Sequence, residues 1–424
     1  MSDVDVVVIG AGAAGLSAAN RLGELGLSFR LVEAKGRIGG RTWTESSTFG
    51  VPFDRGGHWL HSADVNPLRF EADRLGFAYH QGYSPPPGRP LHLGRGWADA
   101  AERQAAVEWV DATFEAVHAL GEAGRDVAAI EAIDTGNRWY RLIRHWHEAI
   151  SAFGPEEIST LDLFRYRDTD HNWPVVKGYG ALIAALFAHV PVTLDAPVSA
   201  VDLTGPDVRV ETAKGTIHAR AVIVTCSTNV LASGSIRFTP ELPPALGEAL
   251  RAIPTGGANK VAFQFSKDVF GMEPTSYATF MDERDPARHA LSYQIRPFGD
   301  DIAIAYLGGR FAEETEAAGE GAMIETARAG LVDMFGSAIM DHCIATTATG
   351  WCGDPHTLGA YSCAKPGEAH RRAVLAEPVH DRLFLAGEAI SPDWFSTVHG
   401  AYLTGMDAAQ KIATMALSKN VQGK

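Results

Sequence analysis

At 424 residues, 46% hydrophobic and 21% charged, the chain can bury a sizeable core and is expected to form two domains, or one nucleotide domain with a large insertion. A net charge of −14 argues against nucleic acid and anionic membranes as partners and mildly favours cationic substrates. Four cysteines, Cys226, Cys343, Cys352 and Cys363, lack CxxC or metal-ligand spacing, so no metal is expected on them and reduced thiols are.

The first predicted element is a strand at Val4–Ile9, a near-continuous apolar run of the kind buried on both faces of a parallel sheet. It runs into Gly10-Ala11-Gly12-Ala13-Ala14-Gly15, then a helical stretch to about Leu25, then a strand at Ser28–Val32 that ends on Glu33. In this order the glycines have separate jobs. Gly10 makes the tight turn, Gly12 lets backbone approach a pyrophosphate, and Gly15 allows close helix–strand packing. The helix N-terminus around Ala14 offers backbone N–H groups to phosphate, and Glu33 stands where a carboxylate accepts from ribose hydroxyls. Gly36-Arg37-Ile38-Gly39-Gly40-Arg41 follows directly. Gly39 and Gly40 let the backbone close on a ligand and Arg41 can grip phosphate bidentately, which favours FAD over NAD.

Tyr83–Pro90 is a proline-rich loop. From Ala98 to Ile150 the chain reads helical, with Val107, Val110, Phe114 and Val117 on one stripe and Trp139, Leu142, Ile143 and Trp146 on another. The strand–helix rhythm resumes with Gly178-Tyr179-Gly180, a helix around Ala181–Ala188 and a strand at Val192–Leu194. Val208–Thr212 and Thr216–His218 flank a hairpin turn, and Ala221–Thr225 is a further buried strand. Strands near Lys260–Phe265, Leu291–Gln294 and Ile302–Tyr306 suggest a second sheet, followed by a helix around Gly321–Phe335. Arg382–Ala386 is a last buried strand leading to Gly387-Glu388. Ser396-Thr397 then cap a helix over Val398–Ala416, in which Gly400 and Gly405 permit close packing. That helix either aims its positive end at a flavin ring or packs on the sheet as a plain terminal helix. The opening strand leaves no room for a signal peptide, no apolar run spans a bilayer and the tail Ser418–Lys424 is polar, so a soluble, cytoplasmic protein is expected.

The reading is therefore an α/β fold of mixed α+β character. Residues 1–80, 175–258 and 355–424 would build a Rossmann-type FAD-binding domain of discontinuous segments. Residues 81–174 and 259–354 would build a substrate domain, a mixed sheet flanked by helices.

The wording of both ends, GAGAAG…E…GGRTWT and FLAGEAISPDWFSTVHGAYLTG, resembles the flavin-containing amine oxidase family, which includes monoamine oxidases, polyamine oxidases and lysine-specific histone demethylases. The resemblance covers nearly the whole chain, through Asp54–His61 (DRGGHWLH), Val176–Leu186, Pro197-Val198, Asn259-Lys260-Val261, Trp351 and Gly359-Ala360-Tyr361-Ser362. It implies FAD held by Gly10, Gly12, Ala14, Gly15, Glu33, Lys35, Gly40, Arg41, Gly57, His58, Val198, Trp351, Gly387, Glu388, Thr397 and Val398. It also implies that Lys260 stands opposite flavin N5 with a role in oxygen activation or imine hydrolysis. From its strand pattern alone, Lys260 reads first as a solvent-facing edge-strand lysine, an order that the match of the surrounding segment reverses. His61, in a segment like that of vertebrate-type polyamine oxidases, would orient an amine or relay a proton, or else serve as a structural histidine. Tyr361 would form one wall of an amine cage, with Trp59 nearby, although each aromatic could simply be core.

Two positions depart from the family pattern. Ala360 stands where members with covalent flavin have cysteine, so FAD is expected to be non-covalent. Thr397 stands where monoamine oxidases place a second cage tyrosine, which leaves room for a bulkier or secondary amine.

The expected activity is oxidative deamination of a primary or secondary amine, polyamines included, with hydride transfer to flavin N5, hydrolysis of the imine and reduction of O₂ to H₂O₂. The alternatives are a flavin-dependent desaturase or oxidase of a biosynthetic intermediate, an L-amino-acid oxidase needing an arginine at the flavin (Arg69, Arg165, Arg296 and Arg310 are available), and a non-catalytic flavoprotein. The partners expected are a small-molecule amine and O₂, with no nucleic acid and no membrane, the chain being a monomer or homodimer. Asp162, Asp168 and Asp170 either greet a cationic amine at a tunnel mouth or form a solvated loop.

Overall fold

Parallel partners on both sides account for the valine-rich opening strand. Val4–Ile9 lies between Phe29–Val32 and Gly215–Val224, and Val6, Val7 and Val8 are fully buried. The computed structural model describes residues 2–81 and 89–422, with side chains up to residue 415. Most of the Tyr83–Pro90 loop and the side chains of the Ser418–Lys424 tail lie outside the described residues.

Among the described residues the strands form two large sheets and two short pairs. The first sheet has eight strands, ordered Arg237–Thr239, Val198–Asp202, Val208–Thr212, Gly215–Val224, Val4–Ile9, Phe29–Val32 and Val192–Thr193, with Leu383–Leu385 also pairing along Gly215–Val224. The hairpin strand expected at Thr216–His218 and the buried strand expected at Ala221–Thr225 are one continuous strand. Its first half pairs antiparallel with Val208–Thr212, while its second half enters the parallel core, where the alternating pattern gives way to continuous apolar residues.

The helical stretch expected from Ala98 to Ile150 is interrupted. Helix Ala100–Glu122 starts at an Asp99/Glu102 capping box and ends before Gly124, whose φ of 72° breaks it. A short 3₁₀ turn at Ala129–Ala132 precedes helix Tyr140–Ser151, which buries Leu142, Ile143 and Trp146.

The second sheet has six strands, ordered Cys343–Ala348, Ala258–Phe265, Ile302–Gly308, Leu291–Ile295, Ser276–Phe280 and Leu91–His92, antiparallel except for the last pair. Period-two alternation gives it two characters. Val261, Phe263, Ala305, Tyr293 and Phe280 pack against Met323, Ala327 and Leu331 of helix Glu320–Phe335. The opposite face carries Lys260, Tyr306 and Ser292 side by side in register, with Gln294 opposite Tyr277 one step along.

The C-terminal helix Val398–Gln422 lies on the first helix, Ala13–Glu24. A Cβ on Gly405 would meet the Ala14 carbonyl oxygen at 2.0 Å, and the Ser17 hydroxyl donates to the Tyr402 carbonyl at 2.7 Å. Glycine there is what lets the two helices touch. No helix among the described residues is long and apolar enough to cross a membrane.

Candidate active site

A cavity of about 1250 Å³ runs from the glycine turn of the first sheet to the polar face of the second. Every residue expected to hold cofactor or substrate lines it except Gly15, which packs behind the turn.

At the glycine end the walls are backbone. Gly10 has φ of 96°, and a Cβ on Gly15 would overlap the Gly10 carbonyl oxygen at 1.8 Å, so these two glycines serve the turn itself. Gly12 differs. A Cβ there would find no protein atom nearer than the Gly40 Cα at 4.0 Å, and Gly12 starts the first helix with no side-chain cap. An open glycine on a cavity wall, at an uncapped helix N-terminus, is the chemistry of a phosphate cradle. The residues present therefore fit a dinucleotide. Glu33 accepts from the backbone N–H of Ala11 (2.7 Å) and of Lys35 (2.9 Å), which aims its carboxylate along the cavity wall. The Lys35 ammonium pairs with Asp354.

Arg41 lines the cavity with its guanidinium braced by the protein. Its Nη1 donates to Glu388 Oε1 (2.9 Å) and to the Ala360 carbonyl (2.6 Å). Glu388 is likewise committed, since its Oε2 accepts from the Ser362 hydroxyl (2.7 Å) and the Ser396 N–H (2.9 Å). Burial works to raise the Glu388 pKa, but the Arg41 charge and the Ser362 bond outweigh it and hold the carboxyl below its ordinary value. The pair ties three distant segments together at the cavity wall. Sequence reading could not see this, because the acid lies 347 residues away.

In the middle of the cavity, Trp351 donates its indole N–H to the Arg55 carbonyl (3.2 Å), and a Cβ on Gly57 would meet Val398 Cγ2 at 2.9 Å. Thr397 accepts from the Gly400 N–H (3.0 Å) and donates to the Trp394 carbonyl (2.6 Å), so its hydroxyl caps the C-terminal helix. Gly387 has φ of 147° and is bracketed by the Thr404 hydroxyl.

At the far end the walls are side chains. Lys260 is on a central strand, not an edge strand, and is only 8% exposed. Its Nζ donates to the carbonyls of Asp54 and Gly56, both at 2.7 Å, and lies 5.8 Å from the Trp59 ring and 5.9 Å from the Tyr306 ring. Burial pulls its pKa down to about 8, against the opposing pull of Asp54. Tyr361 is anchored by its hydroxyl on the Ala149 carbonyl. His61 meets Asn172 Oδ1 through Nδ1, which leaves Nε2 as its acceptor, and burial depresses its pKa. His58 donates through Nδ1 to Asp54 (2.8 Å), so it is a buried network residue as well as a cavity wall.

Asp162 is not at the mouth. It is fully buried and accepts twice from Arg372, both at 2.7 Å, whereas Asp168 and Asp170 do line the cavity. None of Arg69, Arg165, Arg296 and Arg310 lines it, but Arg89 does, buried and stacked 4.1 Å from the Tyr277 ring. Sequence reading also missed Tyr306, Gln294 and Asn172. Alternation along Ile302–Tyr306 places Tyr306 on one face, but only strand register brings it beside Lys260.

A family model described as flavin containing amine oxidoreductase matches residues 13–96 and 115–413. The chain is 27% identical to the human lysine-specific histone demethylase 2 over 457 residues, covering 96% of this chain and 53% of that protein. It is 28% identical to polyamine oxidase 4 of Oryza sativa subsp. japonica, covering 97% and 88%. The chain thus spans about half the length of the demethylase and most of the polyamine oxidase. A solved putrescine oxidase double mutant, redesigned for cofactor binding, superposes with a TM-score of 0.80 at 18% identity, covering 97% of this chain and 99% of that one, and is a likeness of fold.

Proposed function

Because the chain belongs to the flavin-containing amine oxidoreductase family, and is thus an FAD-carrying oxidoreductase that acts on amines, we propose that it oxidatively deaminates a primary or secondary amine, with O₂ as acceptor. The overall change is R–CH₂–NH–R′ + O₂ + H₂O → R–CHO + R′–NH₂ + H₂O₂. The observation that carries this reading is the placement of Lys260. A lysine buried between two backbone carbonyls and two aromatic rings shares one cavity with the dinucleotide cradle.

When bound, FAD supplies the hydride acceptor and passes the electrons to O₂. The residues to hold it are Gly10, Gly12, Ala14, Glu33, Val198, Trp351 and Val398 along the cavity, with Arg41 and Glu388 bracing the wall. Ala360 offers no thiol, so attachment is non-covalent. Trp59, Tyr306 and Tyr361 present aromatic walls that attract a cationic amine and exclude water from the neutral form that reacts. His61, with Nε2 unprotonated, can take the proton an ammonium sheds on entry. Lys260, when charged, gives two N–H bonds to the carbonyls and keeps a third for the water that attacks the imine or for charge developing on dioxygen. Asp168 and Asp170 on the cavity wall add attraction for a cation.

Arg89 supports a second reading, an amine that also carries a carboxylate, because an aromatic-stacked guanidinium on the cavity wall is suited to bind one. The test is anaerobic mixing of the holoprotein with a panel of monoamines, polyamines and amino acids. Bleaching of the oxidised flavin band with release of aldehyde and, on aeration, H₂O₂ is expected. No bleaching by any member sinks the reading, and bleaching without an aldehyde moves it to a desaturase.

A further inference from the structure

We propose that Glu316, which does not line the cavity, is a positioning residue for its reacting end, acting through Asn259 and Trp351 on the carbonyls that hold Lys260. This rests on the amine oxidase reading and extends it to an acid outside the site itself.

Strand Cys343–Ala348 pairs with Ala258–Phe265 as far as Ala348 opposite Val261, and there the chain leaves the sheet toward Trp351. Beyond that point a side chain takes over from the ladder. Asn259 Oδ1 accepts from the Thr349 hydroxyl at 3.0 Å and from the Trp351 N–H at 3.3 Å. The Thr349 hydroxyl in turn accepts from the Lys260 backbone N–H at 2.8 Å. Asn259 Nδ2 donates to Glu316 Oε2 at 2.7 Å. A carboxylate only accepts, so Glu316 decides which way the Asn259 amide is turned. The reversed amide would set an N–H group against the Trp351 N–H. The same carboxylate takes the backbone N–H groups of Cys352 (3.2 Å) and Gly353 (2.6 Å). A Cβ on Gly350 or Gly353 would stand 3.3 or 3.1 Å from Glu316 Oε1, so two glycines let this loop close on the acid. Glu316 is half-buried near the end of helix Gly309–Ala317, and Asn259 is 3% exposed.

The loop so held reaches Lys260 through three consecutive carbonyls. The Trp351 indole N–H donates to the Arg55 carbonyl at 3.2 Å. Lys260 Nζ donates to the carbonyls on either side of it, Asp54 and Gly56, at 2.7 Å each. Arg55 is tied to the same strand end, its Nη2 donating to the Ala348 carbonyl at 2.6 Å. A displaced Trp351 therefore displaces the middle of the row that compensates the buried ammonium. Three N–H donors converge on Glu316, and a carboxylate has lone pairs for all of them. Glutamine has one acceptor atom, so Glu316→Gln turns an amide nitrogen against at least one N–H at nearly constant volume.

The test is made on the holoprotein with ¹⁵N-labelled indoles, nine in all, the Trp351 signal being the one lost in Trp351→Phe. Glu316→Gln is expected to speed hydrogen exchange of the Trp351 indole N–H about tenfold, the loss of about one net hydrogen bond, and to leave the other indoles within about twofold of wild type. Flavin reduced with dithionite and mixed with O₂ at pH 7 should then reoxidise about threefold more slowly, and Glu316→Gln should add nothing in a Lys260→Met background. Unchanged exchange at Trp351 overturns the inference. Acceleration across all the indoles overturns it too, because that is what a general structural defect produces. Unchanged reoxidation, or an effect additive with Lys260→Met, overturns the link to Lys260. Asn259→Leu removes the amide at similar volume and is read in the same way, and it decides should Glu316→Gln not retain flavin. Neither readout uses an amine, so a wild type that no amine bleaches overturns the oxidase reading alone.

Discussion

The two ends of the cavity are built from different materials. The nucleotide end is largely backbone, made of glycines whose missing Cβ atoms shape the space and a helix terminus that offers N–H groups, and its glycine cradle lies within the first forty-one residues. The amine end is side chain, with Trp59, Lys260, Tyr306 and Tyr361 gathered from four separated stretches and locked by buried hydrogen bonds. A backbone site is fixed by local sequence and tolerates little variation. A side-chain site is fixed by register and packing, and can be retuned one residue at a time.

The contrast is tested first at a buried ion pair outside the cavity lining. Arg372 and Asp162 are both almost wholly buried, and Asp162 also accepts the Ala364 N–H at 2.9 Å. Removing one partner of such a pair leaves an uncompensated charge, so Asp162→Ala should cost about 3–5 kcal/mol in denaturant unfolding. A loss under about 1 kcal/mol, the range of an exposed pair, would mean that the fold does not depend on this pair.

The glycines sharpen the comparison next. Gly15→Ala places a methyl group 1.8 Å from the Gly10 carbonyl oxygen and is expected to cost about 2–3 kcal/mol even in flavin-free protein. Gly12→Ala meets no protein atom within 3.9 Å, so flavin-free stability should stay within about 0.5 kcal/mol of wild type. Flavin affinity should nevertheless fall by about tenfold or more, measured by titrating FAD into flavin-free protein. Equal effects of the two variants on both quantities would remove the distinction between a fold glycine and a ligand glycine.

At the other end, a single titration should dominate the oxygen reaction. Lys260 has its pKa pulled from 10.5 to about 8 by burial, so it is cationic below pH 8 and neutral above. A cation that stabilises charge developing on dioxygen makes reoxidation fast below that value and slower as pH rises through it. Lys260→Met should be slower by about tenfold at pH 7, about 1.4 kcal/mol, and should lose the titration while retaining FAD. A wild-type rate flat from pH 6 to about pH 9 would take Lys260 out of the oxygen step.

The same division decides what sequence could reveal. Gly10, Gly12, Gly15 and Glu33 are legible because their physics is local, a turn, an open helix end and an acid after the second strand. Lys260 is ambiguous as text. The structure excludes the edge-strand alternative by placing strands on both sides of it, a fact of pairing between residues 46 positions apart on one side (Lys260 and Tyr306) and 87 on the other (Val261 and Ala348). The text gives no sign that Glu388 braces Arg41, and Asp162 reads as surface until Arg372 arrives beside it. The hydrogen-bonded line from Tyr306 through Gln294 and His58 to Asp54 is invisible in the sequence, because three of its four members become neighbours only through the register of the second sheet and the short Thr44–Glu45/Phe53–Asp54 pair.

The smallest expected effect falls where the two building principles meet, at Thr397. Its hydroxyl accepts the Gly400 N–H, a backbone duty of the kind the glycine end depends on, while its side chain lines the cavity where a second cage wall would stand. Thr397→Ala removes both, and loss of the cap alone should cost about 1 kcal/mol in thermal unfolding. Thr397→Ser keeps the hydroxyl and removes only the methyl, so its stability should stay within about 0.5 kcal/mol of wild type. The pair of variants separates the two roles. If Thr397 is also a wall, Ser and Ala shift the preference between primary and bulkier secondary amines alike, because both lose the methyl. If both variants keep the wild-type amine preference while Ala alone lowers stability, Thr397 belongs wholly to the helix. The cage would then be one-sided, with Tyr361 and the Trp59–Tyr306 pair as its aromatic faces.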